Sequence, residues 1–565
     1  MENFRTPLII ALFAISAVLY VKWIEFSNPS NLATDVASTD SAQAVDAAIP
    51  EISRQAEAVQ VPDNLSSDGL NAEQLAVPGQ TPIELSDPAS LITVETDLLI
   101  ATINTLGGVI ERMELKKELL NAGEVEQGFP LLKKTAGEIF NVEDGLFNAE
   151  KNTPNHQTQY AAAQKNYLLG DTDQVQIPLS WKSDTGVFYT KTLTFKRDSY
   201  VVDVDYQISN NSAKLWNGFL YAQFLRTEPA DSGGGFGRLP SYTGGATYTE
   251  EDKYNKVDFG DIKSDNLDIA TNNGWVAMLQ HYFVGAWIPQ AGPKKFYSTY
   301  SDQSNPRYRI GYRTEQATQV AAGQTGTIST QVFIGPKEQV RLKRIQKENN
   351  IKGLALTVDF GFLTFIADPL FTVLSWIHAV VGNWGWAIIL LTLLIKILFY
   401  PLSKKQFKSM AAMKKLQPRI QTLKERYKDD RQKFQMEMMA LYKKEKVNPA
   451  GGCLPILIQI PVFIALYWAL LESVELRHAP FALWWQDLSA PDPFYVLPVL
   501  MGASMWFQQK LNPAPMDDIQ KKVMTIMPIA LTFLFLTFPA GLVLYWVVNN
   551  VLSMAQQWYI NKKFA

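Results

Sequence analysis

Hydrophobic and polar positions give this chain three textures. Residues 6–21 form an uncharged apolar run between Arg5 and the pair Lys22-Trp23. The run is short for a membrane span, but Lys22 can snorkel and Trp23 can sit at the interface. Its start is weakly basic and no A-x-A cleavage site follows at the right distance. Residues 1–26 are therefore expected to be an uncleaved signal-anchor span with the N-terminus inside. Residues 27–87 hold ten acidic residues against one basic one, with few aromatics and no periodicity. Such a segment cannot bury enough surface to fold, so a disordered acidic linker is expected.

The second texture covers residues 88–352. Short alternating runs recur, such as Lys191-Thr192-Leu193-Thr194-Phe195 and Tyr200-Val201-Val202-Asp203-Val204-Asp205-Tyr206, separated by turn clusters such as Asn210-Asn211-Ser212. Many short strands without interposed helices predict a large β-sandwich. Residues 340–352 read as a charged helix leading back to the membrane.

The third texture, residues 353–565, is dominated by long apolar runs. Residues 354–379 are apolar but broken at Asp368-Pro369, which predicts an interfacial helix lying on the outer face. Spans are expected at about 380–402, 449–471, 493–510, 523–538 and 541–560. The last two share a run of 39 residues without a charge, 523–561. As one helix that run would measure roughly 58 Å, against a bilayer core of about 30 Å. It must turn, and Phe538-Pro539-Ala540-Gly541 is the expected place.

Charge then fixes orientation. The chain has 52 Lys/Arg and 55 Asp/Glu, of which 14 and 5 fall between residues 402 and 448. A basic excess in a short loop marks the cytoplasmic side. Lys510, Lys521, Lys522, Lys562 and Lys563 fall on the same side if residues 523–561 form a hairpin. The expected architecture is an α-helical bundle of six spans with both termini cytoplasmic and the sandwich outside. A mean hydropathy of −0.06 agrees with a soluble part joined to a membrane part.

Within the basic loop, apolar residues repeat at helical spacing: Met410, Met413, Leu416, Ile420, Leu423 and Tyr427, then Phe434, Met438 and Leu441. Two amphipathic helices are expected to form a cytoplasmic hairpin over residues 403–448. Its basic face suits anionic lipid or phosphate; without interleaved aromatics it does not predict specific nucleic-acid binding. Trp484-Trp485 reads as an outer interfacial belt.

Candidate chemistry is sparse. The four histidines (His156, His281, His378, His478) show no metal-ligand spacing, and Gly233-Gly234-Gly235-Phe236-Gly237 lacks the Lys-Ser/Thr of a phosphate loop. No catalytic residue, metal or cofactor is expected. The single Cys453 excludes an intrachain disulfide. Lys396 is the one charge in its span. It either faces a polar cavity or snorkels to the interface about 8 Å away. Thr392 one turn above it, Gln459 in the next span, and Asn549, Asn550 and Ser553 in the last favour the cavity; interhelical hydrogen bonding is the alternative for each.

Four segments carry a family resemblance: Gln435-Met436-Glu437-Met438-Met439-Ala440-Leu441-Tyr442 with Glu445-Lys446-Val447-Asn448-Pro449; Gly451-Gly452-Cys453-Leu454-Pro455 with Gln459-Ile460-Pro461; Ser473-Val474-Glu475-Leu476-Arg477 with Ala479-Pro480-Phe481; and Phe538-Pro539-Ala540-Gly541-Leu542-Val543-Leu544-Tyr545-Trp546. Across about residues 360–559 the chain resembles the YidC/Oxa/Alb family of membrane insertases. The extra first span and large outer domain resemble its Gram-negative form. The resemblance implies a five-span core behind a signal-anchor, a periplasmic β-sandwich, and residence in the bacterial inner membrane. It implies a non-enzymatic insertase and chaperone, acting alone or with the Sec translocon. Substrate would enter a hydrophilic groove lined by Lys396, Thr392, Gln459, Ile460, Pro461, Tyr545, Trp546 and Asn549. The family usually has Arg where Lys396 stands; Lys keeps the charge and loses the bidentate fork.

The implied partners are nascent membrane proteins, the Sec translocon with its accessory subunits bearing periplasmic domains, anionic lipid and, weakly through the basic loop, the ribosome. The chain stops soon after its last span, so docking through a long basic tail is not expected. Two other classes fit parts of the pattern: a polar-lined transporter or channel, which should show internal repeats or charges from several spans, and a membrane-tethered carbohydrate-active sandwich enzyme.

Overall fold

The computed structural model describes residues 87–120, 127–135, 137–229, 241–301, 306–427, 430–445, 447, 454–512 and 518–564. The expected first span, the linker up to residue 86, the glycine run 233–237 and Gly451-Gly452-Cys453 lie outside the described residues. The chain divides into two compact units.

The first unit is a β-sandwich built from sheets of 11 and 9 strands. Alternation explains the smaller sheet. In Val201–Asn210, Val202, Val204, Tyr206 and Ile208 are buried while Asp203, Asp205 and Gln207 lie on the other face. This strand runs antiparallel between Val187–Lys196 and Thr325–Pro336. The larger sheet contains strands buried on both faces, notably Ile139–Phe147 and Trp216–Thr227. Phe224 of the larger sheet meets Trp287 of the smaller at 6.0 Å between ring centroids. A buried ion pair also joins the sheets. Lys191 Nζ lies 2.8 Å from Asp144 Oδ1 and donates to the Gly108 carbonyl, while Tyr206 donates to Asp144 Oδ2. Such a pair is tolerated because its remaining hydrogen-bond needs are met. One short helix, α1 (Phe259–Ser264), is started by a capping box between Asp258 and Asp261.

The second unit comprises residues 116–129, 336–348 and 354–565. Its helices are α2 (Gln339–Glu348), α3 (Thr364–Val381), α4 (Trp384–Leu398), α5 (Tyr400–Arg426), α6 (Arg431–Lys444), α7 (Leu454–Glu472), α8 (Val496–Leu511), α9 (Asp518–Phe535) and α10 (Ala540–Phe564). α10 is central, touching α4, α5, α7 and α8, while α3 lies on α4 and α7.

Two details differ from the sequence reading. The break expected at Asp368-Pro369 is absent. The segment opens with two 3-10 turns, Leu354–Thr357 and Gly361–Leu363, and α3 then runs through Pro369. Proline removes one helical hydrogen bond. Burial of Ala367, Phe371, Leu374 and Ile377 along one face keeps the helix continuous. Gly382, left-handed at φ 69°, ends it. The run expected to form a span at about 380–402 is not one straight helix: α4 ends at Leu398 and α5 departs at 69°. Among the described residues, Gly361–Val381 is the one helix long and apolar enough to cross a membrane by itself; α4 and α5 pass the same test only as a bent pair.

Candidate functional site

Local sequence places Lys396. Asn383 caps α4 by accepting from the Trp386 amide at 3.1 Å, and its side-chain amide donates to the Pro480 and Phe481 carbonyls. Gly385 lets the Phe481 ring approach to where a Cβ would stand, at 2.1 Å. These contacts fix where α4 starts. Three turns later Thr392 and Lys396 fall one turn apart, both buried.

The Lys396 amine donates to Ser553 Oγ at 2.7 Å. Among the described residues no carboxylate lies within ion-pair range of it. Thr392 donates to the Ile388 carbonyl of its own helix, 2.7 Å away, so it supplies a small polar surface rather than a cross-helix bond. Gln459 of α7 donates to Asn549 Oδ1 of α10 at 2.8 Å. Tyr545 is buried and stacks on Phe463, and Trp546 meets Phe463 and Phe535 edge to face. Ile460 is exposed and Pro461, inside α7, is half-buried. The structure thus brings Lys396, Gln459 and Asn549 to one side of α10, with Tyr545 and Trp546 one turn earlier.

Three polar partners were missed by sequence reasoning. Ser504 of α8 accepts from Asn550 at 2.9 Å, Gln556 donates to the Lys396 carbonyl at 3.5 Å, and Gln557 donates to Asn512 Oδ1 at 3.1 Å. For the two glutamines the signal was a helical period: 549, 553 and 556 share one face of α10, and 550 and 557 another.

In the basic loop, Leu416 and Ile420 of α5 form a small core with Met438 and Tyr442 of α6, flanked by Met413, Phe434, Met439 and Leu441. Met410, Leu423 and Tyr427 are half-buried, and Lys433 lies over the Tyr427 ring. Arg419 pairs with Glu445 at 2.7 Å.

The loop between α7 and α8 is internally bonded. Buried Asp492 accepts from the amides of Phe494 and Leu497 and from the Trp484 indole. Trp484 is therefore half-buried in a polar turn as well as in tilted ring contact with Trp485. In the turn after α7, burial pushes the Glu475 carboxyl up to about 7, and the nearby Glu338 and Glu118 push the same way. Among the described residues no group of three or more His, Cys, Asp or Glu is placed to hold a metal ion.

Known proteins resemble the chain along its length. The family model for the 60Kd inner membrane protein matches residues 376–565, and that for the YidC periplasmic domain matches residues 91–373. A protein of Nitrosococcus oceani named membrane protein insertase YidC is 48% identical over 514 residues, covering 89% of this chain and 92% of its own. One of the same name from Pseudomonas entomophila is 44% identical over 573 residues, covering 100% and 98%. A solved structure of an active YidC insertase with its first transmembrane domain resolved is 21% identical, with a TM-score of 0.39, over 85% of this chain and 94% of that one.

Proposed function

Since this chain belongs to the YidC family of membrane protein insertases, we propose that it inserts inner-membrane proteins by receiving the substrate's polar tail at Lys396. The observation that carries the reading is that amine: buried on α4, met by one neutral hydroxyl, with no carboxylate in ion-pair range among the described residues. A buried cation so poorly compensated attracts an anion. The tail would enter along the line of Lys396, Thr392, Gln459, Ile460, Pro461 and Asn549, beside Tyr545 and Trp546. The substrate's own helix then partitions into lipid. Burying roughly 20 apolar residues outweighs moving one or two charges, each worth about 2.3 kcal/mol per 100 mV.

The finer topology belongs to the same proposal: six spans, both termini cytoplasmic and the sandwich periplasmic. The basic hairpin and the lysines of residues 510–522 and 562–563 support it through the positive-inside rule. The hairpin would meet anionic lipid and, weakly, the ribosome. The Sec translocon would be a second route by which substrates arrive.

The test is insertion of one substrate carrying zero, one or two acidic tail residues, read by protease protection. Lys396→Arg is expected to work on all three. Lys396→Ala should lose most on the doubly acidic tail, by about tenfold, and Lys396→Glu should do worse still through repulsion. Equal losses across the three tails would return Lys396 to an anchoring role.

A further inference from the structure

The acceptor that meets Lys396 is itself oriented. Ser553 Oγ donates to the Asn549 carbonyl one turn back, at 2.6 Å. A serine hydroxyl has one proton and two lone pairs. With the proton committed to Asn549, the lone pairs are left for the Lys396 ammonium at 2.7 Å. Both residues are 6% exposed, so water does not substitute freely. Gln556, on the same face of α10, donates to the Lys396 carbonyl, and Asn549 is tied to Gln459 of α7. One face of α10 therefore holds the backbone and the charge of residue 396 together, and α7 steadies that face.

We propose that Ser553 is the positioning residue of the insertion site: its oriented hydroxyl keeps the Lys396 ammonium turned into the bundle as a resting acceptor, which an incoming carboxylate displaces. The inference rests on the reading of Lys396 as the charge that meets acidic tails. Lys396 lies in the last turn of α4. Without an inward acceptor, its long side chain can turn toward the helix end and water. A carboxylate at 553 would hold the amine too well, because it would add the attraction of an opposite buried charge to the hydrogen bond. A hydroxyl is strong enough to aim the amine and weak enough to yield to a substrate carboxylate.

The test uses the full-length protein in inverted membrane vesicles with the same three substrates. Ser553→Ala is expected to lower insertion of the doubly acidic tail three- to tenfold, several times more than it lowers the neutral tail. Ser553→Thr keeps a hydroxyl and should restore the acidic-tail substrate to within about twofold of wild type, which also reports on folding. Ser553→Asp should lose the acidic-tail substrate through a permanent pair with Lys396. On that substrate the double variant Lys396→Ala/Ser553→Ala should be no worse than Lys396→Ala alone, because the serine acts through the lysine. A Ser553→Ala loss that is equal across the tails, or that adds to Lys396→Ala, makes Ser553 a packing residue and overturns the inference. If Lys396→Ala depends on tail charge and Ser553→Ala does not, the positioning role fails while the role of Lys396 stands. If Lys396→Ala itself ignores tail charge, both fail.

Discussion

At Glu475 a carboxyl is buried in the 3-10 turn Val474–Leu476. One oxygen accepts from the Gln339 amide at 3.3 Å and the other has no hydrogen-bond partner among the described residues. Glu338 and Glu118 add like charge, and Arg477 is drawn to Glu118, 3.6 Å away. Glu475 therefore titrates at about 7 in the fold, against about 4.3 in an unfolded chain. Between those values the folded chain binds the extra proton. Stability from this group is thus fully present below about pH 4, falls as pH rises toward 7, and is flat above. Glu475→Gln removes the titration. Its melting temperature in detergent should exceed wild type at pH 8 and converge with it at pH 5; a parallel offset at both values would exclude this account. The sequence showed Glu475 as one letter of a family motif. It could not show that Gln339, 136 positions away, would bury it.

At the scale of elements, the α5–α6 hairpin is held by few apolar side chains: Leu416, Ile420, Met438 and Tyr442. Leu416→Asn keeps every charge of the loop and places an unmatched amide in that core. The expected result is faster hydrogen exchange across residues 413–442 and an insertion defect on all substrates regardless of tail charge, which separates shape from charge. Normal insertion with lost exchange protection would mean the hairpin's basic residues act without a fold. The apolar side of this hairpin was legible because a 3.6-residue period was uninterrupted from Met410 to Tyr427. Continuity of α3 was not legible, because Asp368-Pro369 signals a stop locally and only the burial of Phe371 and Leu374 overrides it. α10 was half legible. Its amides stood out in an uncharged run, but the partner each one takes is set by three other helices.

At the scale of the whole molecule, residues 116–129 belong in sequence to the sandwich and in space to the helical unit. There Arg477 donates to the Leu119 carbonyl at 2.7 Å, faces Glu118 and lies over the Phe129 ring at 5.3 Å. Deleting residues 91–330 should leave insertion near wild type. It should also lower the melting temperature of the remaining helical unit by several degrees, because residues 116–129 and their contacts with Arg477 are removed with it. Complete loss of insertion in a stable deleted protein would instead give the sandwich a direct role. The domain plan itself was legible from texture alone, since strand alternation and apolar runs differ in period. The transfer of 14 residues between units leaves no mark in periodicity. Across the bundle, the turn before α10 is clipped: the Ala540 and Gly541 amides donate to the Ala490 and Leu488 carbonyls at 2.8 and 2.9 Å, and Pro491 bridges Pro539. If α10 tilted, the clip would act as the fulcrum and the rest of the helix as a lever. Ser553 lies about 18 Å along that lever from Gly541, so a tilt of about 10° sweeps it through an arc of about 3 Å. The 2.7 Å bond to Lys396 does not survive such an arc, while the pivot barely moves. Such a tilt would free the buried charge only by also breaking the Gln459–Asn549 and Asn550–Ser504 bonds, while the bonds at its hinge stayed made.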